Sequence, residues 1–208
     1  VSAGGVVRVA LTLNGDRAAF IESNASFEYY DPKSLRVSGV LPVAGPAAGG
    51  SLLSVSGAGF ALLGPVRCNF GWPTQTVNAT VVNSSLVLCA TPFISGPEWL
   101  GGQLMRGGQR EPLEVSLNGQ DYSSSHVMFL GYNQSEVHVD ELVPAGGPLL
   151  GGTDVLVVGR GFADYEAHCR FGNTTELVRA RLINASALTC VTVAQASAAS
   201  VSVEVTLN

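Results

Sequence analysis

The apolar residues of this chain fall in short runs with a period of two. Leu113-Glu114-Val115-Ser116-Leu117 and Val201-Ser202-Val203-Glu204-Val205-Thr206-Leu207 alternate apolar with polar, and Val155-Leu156-Val157-Val158 is an unbroken apolar run rich in β-branched residues. Alternation at two residues sends one set of side chains to one face of a pleated strand, and β-branched residues fit that surface. Clusters of glycine, proline and asparagine punctuate the runs at intervals of about 8–12 residues, and no stretch sustains the 3.6-residue period of an amphipathic helix. The pattern predicts an all-β chain of short strands and tight turns, the arrangement of a β-sandwich.

The strands recur. Gly49-Gly50-Ser51-Leu52-Leu53-Ser54-Val55-Ser56-Gly57-Ala58-Gly59-Phe60 returns 102 residues later as Gly151-Gly152-Thr153-Asp154-Val155-Leu156-Val157-Val158-Gly159-Arg160-Gly161-Phe162. Tyr30, Pro42 and Gly45-Pro46 match Tyr132, Pro144 and Gly147-Pro148 at the same shift, and Cys68-Asn69-Phe70-Gly71 matches Cys169-Arg170-Phe171-Gly172 at a shift of 101. Val115-Ser116-Leu117-Asn118-Gly119 has counterparts in Leu11-Thr12-Leu13-Asn14-Gly15 and Val205-Thr206-Leu207-Asn208. An internal period of this size marks a tandem array. Residues 1–34 read as the C-terminal strands of an upstream repeat, 35–133 as a complete domain, and 134–208 as a further domain lacking its last strand. Val1 reads as mid-strand, so the expectation is a window from a longer protein.

These residues resemble the IPT/TIG family (immunoglobulin-like, plexin, transcription factor), in its extracellular tandem-repeat form. The resemblance is carried by the Pro…Gly-Gly-[Ser/Thr]…Gly-x-Gly-Phe segments at 42–60 and 144–162, by Cys-x-Phe-Gly at 68–71 and 169–172, by Cys89-Ala90-Thr91-Pro92, and by the closing Val-x-Leu-Asn strands. It covers essentially the whole chain, although Val191-Thr192 after Cys190 lacks the proline. It implies tandem immunoglobulin-like β-sandwiches strung as separate beads. Gly49-Gly50 is expected to make the bend into the second strand, where φ is positive. Gly57 and Gly59 are expected to make the turn that places Phe60 under the core, with Phe70 plugging the facing sheet.

The four cysteines sit at two equal separations, Cys68 to Cys89 and Cys169 to Cys190. Pairing within each repeat would give each domain one staple, which resembles what extracellular members of the family carry. Zinc ligation and reduced core thiols are the other readings. Zinc calls for C-x2–4-C pairs and partner histidines, and neither is present.

Composition changes the picture in one respect. Charged residues are 13% of the chain, against a usual figure of about 25%, so something besides charge must solvate the surface. Six N-x-[ST] sequons, at Asn24, Asn78, Asn83, Asn133, Asn173 and Asn184, supply a candidate. Ten asparagines and 31 serines and threonines in 208 residues predict about 1.5 by chance, and the excess points to a secreted or cell-surface glycoprotein. Asn83 and Asn184 occupy equivalent positions, so they are expected on one face and occupied together. A net charge of −5 without a basic cluster excludes counterion-driven nucleic-acid binding and attachment to anionic membranes. The uncharged stretch between Arg181 and Glu204 is broken by Asn, Gln, Ser and Thr and cannot span a bilayer.

Motifs for chemistry are missing. His126, His138 and His168 share no metal-ligand spacing; the first two are expected on solvated strand faces and His168 over the neighbouring disulfide. Asp140-Glu141 and Asp164/Glu166 lack the loop signature of a calcium site. The Gly-x-Gly segments lack a third glycine and a following helix, and there is no G-x-S-x-G. The expectation is a non-catalytic protein with no cofactor and no metal.

One segment departs from the repeat. Cys89 and Asn118 lie 29 residues apart and Cys190 and Asn208 only 18, the excess falling in residues 93–108. This loop holds Trp99, Leu100, Leu104, Met105 and Arg106, the aromatic, Met and Arg enrichment of interface centres, and Gly-Gly pairs flank it. Trp72, before Pro73, is a second candidate contact residue. The short connections after Tyr30 and Tyr132, without Gly/Ser runs, favour a semi-rigid rod.

Taken together, these features predict an extracellular adhesion, spacer or surface-coat module contacting other proteins or glycans, including copies of itself in a coat or filament, with a ciliary surface among the settings. A ligand-binding ectodomain segment of a plexin-like or fibrocystin-like receptor is the alternative. An accessory module of a carbohydrate-active enzyme ranks below it, with only Trp72 and Trp99 as sugar platforms. An intracellular DNA-binding member of the family fits worst.

Overall fold

A computed structural model describes residues 5–71, 75–94 and 109–208. Its strands follow the alternation read from the sequence and form two successive sandwiches preceded by a hairpin. The hairpin pairs β1 (Val6–Leu11) antiparallel with β2 (Ile21–Glu28).

The first sandwich contains β3 (Arg36–Leu41), β4 (Ala44–Pro46), β5 (Leu52–Ala58), β6 (Arg67–Phe70), β7 (Gln75–Asn83), β8 (Leu86–Ala90), β9 (Gln109–Ser116) and β10 (Val127–Tyr132). They form one ribbon in the order β3-β5-β8-β7-β6-β9-β10-β4, folded on itself at β7. The first half of β7 pairs with β6 and the second half with β8, so a single strand belongs to both layers. The last strand, β10, lies between β9 and β4, antiparallel to the first and parallel to the second.

Inward-facing residues at every second position fill the space between the layers. Leu53, Val55, Val87 and Cys89 meet Cys68, Phe70, Leu113, Val115 and Phe129. Phe70 and Phe129 pack edge to face at 6.0 Å. A bond between Cys68 on β6 and Cys89 on β8 ties the two layers, with the Cα atoms 6.4 Å apart. A cross-link closing about 20 residues contributes about 3 kcal/mol in the chain-entropy picture, a large share of a small domain's stability.

The second sandwich repeats the plan with β11 (His138–Val143), β12 (Asp154–Arg160), β13 (His168–Phe171), β14 (Val178–Arg179), β15 (Arg181–Asn184), β16 (Ala187–Val191) and β17 (Val203–Thr206). Its sheets run β11-β12-β16-β15 and β14-β13-β17, and Cys169 and Cys190 bridge them with Cα atoms 6.3 Å apart. Where β7 is continuous, this sandwich has two short strands separated by the buried Ala180. Among the described residues no strand pairs with the outer edge of β17. The segment equivalent to β4 is correspondingly not a strand, since in the first sandwich that strand is held by β10.

The β1–β2 hairpin corresponds to β9–β10. Val9 and Leu11 match the buried Leu113 and Val115, and Phe27 matches the buried Phe129. In the hairpin the same positions are exposed, with Leu11 at 59% and Phe27 at 54%.

Gly49 and Gly50 have φ of +82° and +86° at the expected bend. Gly57 does something different from the expectation: it lies within β5, not in a turn. A Cβ there would come within 2.1 Å of the Arg36 carbonyl oxygen and 2.5 Å of the Phe60 ring. Its role is to let the neighbouring strand and the core phenylalanine close onto bare backbone. Both X–Pro bonds that precede the bend, Leu41–Pro42 and Val143–Pro144, are cis.

Candidate functional site

Each sandwich presents the same hairpin turn, and a sequon stands on it. The β7–β8 turn is Ser84-Ser85 and the β15–β16 turn is Ala185-Ser186, with Asn83 and Asn184 the last residues of the strands leading in. Both strands carry a bulge one residue earlier, which tips the asparagine outward at the corner. Asn83 Oδ1 accepts from Ser85 N at 2.9 Å and Ser85 Oγ at 2.8 Å, and Asn184 Oδ1 accepts from Ser186 N at 2.8 Å. The side-chain oxygen is therefore used to hold the turn, while Nδ2, the atom a sugar would occupy, is not part of that hold.

The Gly-x-Gly-Phe segment is what fastens this turn. Gly57 N donates to Ser85 O and Phe60 N to Ser84 O; Gly159 N donates to Ser186 O and Phe162 N to Ala185 O, all between 2.9 and 3.1 Å. Gly59 has φ +79°, and a Cβ there would sit 2.4 Å from Ser34 O in the connection that precedes the sandwich. At Gly161, φ +77°, the corresponding atom is Glu136 O at 2.3 Å. The motif thus joins three things at one pole of each sandwich: the core through its phenylalanine, the sequon turn, and the incoming connection.

The other sequons are also on the surface: Asn24 on β2, Asn78 on β7, Asn133 before the second sandwich and Asn173 after β13 are all exposed. Asn133 caps a short 3-10 turn over Gln134–Glu136, accepting from Ser135 N at 3.1 Å, and Asp31 does the same over Pro32–Ser34, accepting from Lys33 N at 2.9 Å. The connection leading into each sandwich is therefore a capped, folded turn.

The contact residues expected at Trp72, Trp99, Leu100, Leu104, Met105 and Arg106 lie outside the described residues. Of that loop the structure describes only its beginning. Phe93 is 64% exposed, whereas Ile94 is buried in the first core and its N–H donates to Ala47 O at 2.7 Å. The two neighbours thus face opposite ways.

His138 is exposed, as expected, with Nε2 2.9 Å from Ser135 O. His126 lies just before β10 and is likewise open, with φ +54°. His168 differs from expectation. It alternates with Cys169, so the disulfide is on the inner face of β13 and His168 on the outer one. It lines a cleft of about 330 Å³ at the junction of the sandwiches, together with Tyr132, Gln134, Arg170, Glu204 and Thr206. Arg170 and Glu204 form an ion pair across β13 and β17. Asp164 is paired with Arg179 at 3.1 Å, and among the described residues no three His, Cys, Asp or Glu side chains converge as metal ligands would.

Two features escaped the sequence reading. Glu114 is a buried carboxylate, 8% exposed, that accepts from Ser123 Oγ, from Ser125 N at 2.9 Å and from His126 N at 2.6 Å. It pins the loop between β9 and β10, and the run Ser123-Ser124-Ser125 opposite a strand glutamate was the available signal. The second is the pair of tyrosines that close the last strands. Tyr132 belongs to the first sandwich by its backbone, yet its ring is buried against the second core. Burial raises its pKa above the ordinary 10.0, partly offset by hydrogen bonding from Thr206 and the Leu207 backbone. Tyr30, its counterpart, packs against the first core, and its pKa is raised by burial and then by the charge of Asp121.

Comparison with known proteins places these features. The family model described as "IPT/TIG domain" matches residues 35–129 and again 138–208. The chain is similar to two solved structures of the plexin A4 full extracellular region. One, covering domains 1 to 10, is 16% identical with a TM-score of 0.53 over 93% of this chain. The other, covering domains 1 to 8, is 17% identical with a TM-score of 0.50 over 83% of this chain. The chain spans 15% and 17% of the length of those two structures. No curated protein sequence matches it.

Proposed function

The chain belongs to the IPT/TIG domain family, and from that premise we propose that it is a non-catalytic stretch of an extracellular glycoprotein that spaces and presents contact surfaces. The observation that carries this reading is the placement of the sequons. All six asparagines are exposed, and two of them occupy the same hairpin turn in successive sandwiches with the amide nitrogen left out of the turn's hydrogen bonding. A disulfide in each sandwich supports the oxidising compartment that such modification requires. Sugar on this surface supplies the solvation that so few charged side chains do not. Residues 1–34 are the closing strands of an upstream repeat, 35–133 one repeat and 134–208 most of the next; the exposed apolar face of β1–β2, matching buried positions of β9–β10, supports the first of these assignments. Contacts are with other extracellular proteins or glycans, in an adhesive array or a coat, of which a ciliary surface is one instance.

The test is peptide-level mass spectrometry of the natively sourced protein before and after deglycosylation and reduction. The expected result is glycan on Asn83 and Asn184 together, with Cys68–Cys89 and Cys169–Cys190 bridged. Unmodified asparagines with four free thiols would overturn the reading. A second reading, a segment of a plexin-like signalling ectodomain, is favoured by the likeness to the plexin A4 extracellular region. Sequencing the transcript on both sides separates the two: further IPT/TIG repeats alone support the array, and a ligand-binding head with a membrane span supports the receptor.

A further inference from the structure

We propose that the tyrosine closing each repeat is an interdomain bolt, and that Tyr132 locks the two sandwiches into one rigid body. Its backbone is committed to the first sandwich. It stands in parallel register with Pro46, and its carbonyl accepts from Ala47 N at 2.8 Å. Its side chain is committed to the second. The ring is 7% exposed, stacks on Tyr165 with 6.1 Å between centroids and 21° between planes, and the hydroxyl donates to Asn208 Oδ1 at 2.6 Å. Ala44 and Leu130, from the two strands flanking this point, join the same second core. One residue is therefore held by hydrogen bonds on one side of the boundary and by burial on the other, so the sandwiches cannot swing apart without exposing an aromatic ring and stranding a phenol.

The connection that follows leaves no room for swing either. Asn133 caps its 3-10 turn, Val137 packs against the second core, and Gly161 brings the second sandwich against Glu136 O. The upstream junction has the same parts in the same order. Tyr30 is packed against the first core near Asp121, Asp31 caps the turn, Leu35 is buried, and Gly59 closes on Ser34 O. Asp121 is held by Asn118, whose Oδ1 accepts from Asp121 N at 2.9 Å, and Asn118 is the counterpart of Asn208, the acceptor for Tyr132. Both bolts thus enter beside the Leu-Asn turn that ends the Val-x-Leu-Asn strand of the next repeat. That element serves as a socket as well as a strand end.

The experiment is measurement of amide residual dipolar couplings on the isotopically labelled 208-residue chain with both disulfides formed. Rigid coupling predicts that couplings from 35–129 and from 138–208 fit a single alignment tensor. Tyr132→Ala removes the bolt and predicts loss of that common tensor. Because Tyr132 is itself buried, Tyr165→Ala serves as the second variant; it removes the stacking partner from a half-buried loop position and predicts the same loss with both sandwiches still folded. Two tensors in the wild-type chain would overturn the proposal. So would one unchanged tensor in Tyr165→Ala together with an unchanged tensor in a folded Tyr132→Ala.

Discussion

Gly59→Ala should cost far more than its chemistry suggests, and the comparison with Gly50→Ala isolates why. Both glycines have positive φ, +79° and +86°, so both substitutions force an L side chain into the left-handed region at about 1–2 kcal/mol. A Cβ at Gly50 meets nothing within 4 Å, whereas one at Gly59 lands 2.4 Å from Ser34 O and 2.8 Å from Ser34 C. Those are backbone atoms of a capped turn, so no rotamer change relieves the overlap, and forcing it adds about 1–3 kcal/mol. Gly50→Ala is therefore expected at about 1–2 kcal/mol and Gly59→Ala at about 2–5. The assay is urea unfolding followed by tryptophan fluorescence. Trp72 and Trp99, the only tryptophans, both fall within 35–129, so the signal follows the first sandwich alone. At about 4–8 °C per kcal/mol for a domain of this size, thermal midpoints should separate the variants as well. If Gly59→Ala costs no more than Gly50→Ala, the close approach of the motif to the connection is not what the glycine is for.

Three further outcomes follow from the same geometry. Replacing Cys169 and Cys190 together by serine should cost about 3 kcal/mol through the freed loop; calorimetry should show the second sandwich melting earlier while the tryptophan-monitored transition of the first stays in place. Glu114→Ala removes the acceptor of one hydroxyl and two backbone N–H groups and should cost about 2–3 kcal/mol; limited proteolysis should begin cutting within residues 119–126, and an uncut loop would refute the pinning role. Tyr132 has its pKa raised in the folded state, so its contribution to stability is complete below the unfolded value near 10 and is lost as pH rises through the folded value. Absorbance titration of wild type against Tyr132→Phe should therefore subtract a phenol that ionises above pH 10, and subtraction of an ordinary one would contradict its burial.

Most of the fold was legible because it is written twice. Alternation marks β9 and β17, and an unbroken β-branched run marks β12, to within a few residues, while the matched glycines, phenylalanines and cysteines mark equivalent turns and core positions. Gly57 was misread because a glycine needed for close approach and a glycine needed for positive φ look identical in sequence; only the Arg36 carbonyl at 2.1 Å distinguishes them. His168 was misread because adjacency to a cysteine along a strand means opposite faces, not contact. Glu114 was invisible because alternation puts it on the outer face, and the loop that returns over it is not a periodic element. The tyrosines were visible as matching positions, but a residue whose backbone and side chain serve different domains leaves no local signature.

The two sandwiches also act as controls for each other. Where they agree, the residue builds the fold: Gly57 and Gly159 donate to the same turn, Phe60 and Phe162 enter the same corner, and the disulfides bridge the same strands. Where they differ, the residue gives one repeat its individual surface. Asn69 is replaced by Arg170, which pairs with Glu204, and Arg67 by His168, so the outer face of β13–β17 becomes a charged wall of the junction cleft. Asp31 is replaced by Asn133, which keeps the cap and adds a sequon to the second junction only. The insertion at 93–108 distinguishes the first repeat and leaves from a core anchored by Ile94. Individual character therefore concentrates at the junction and at one loop, while the framework that fixes their separation is common. That is the division of labour that the proposed spacing role requires.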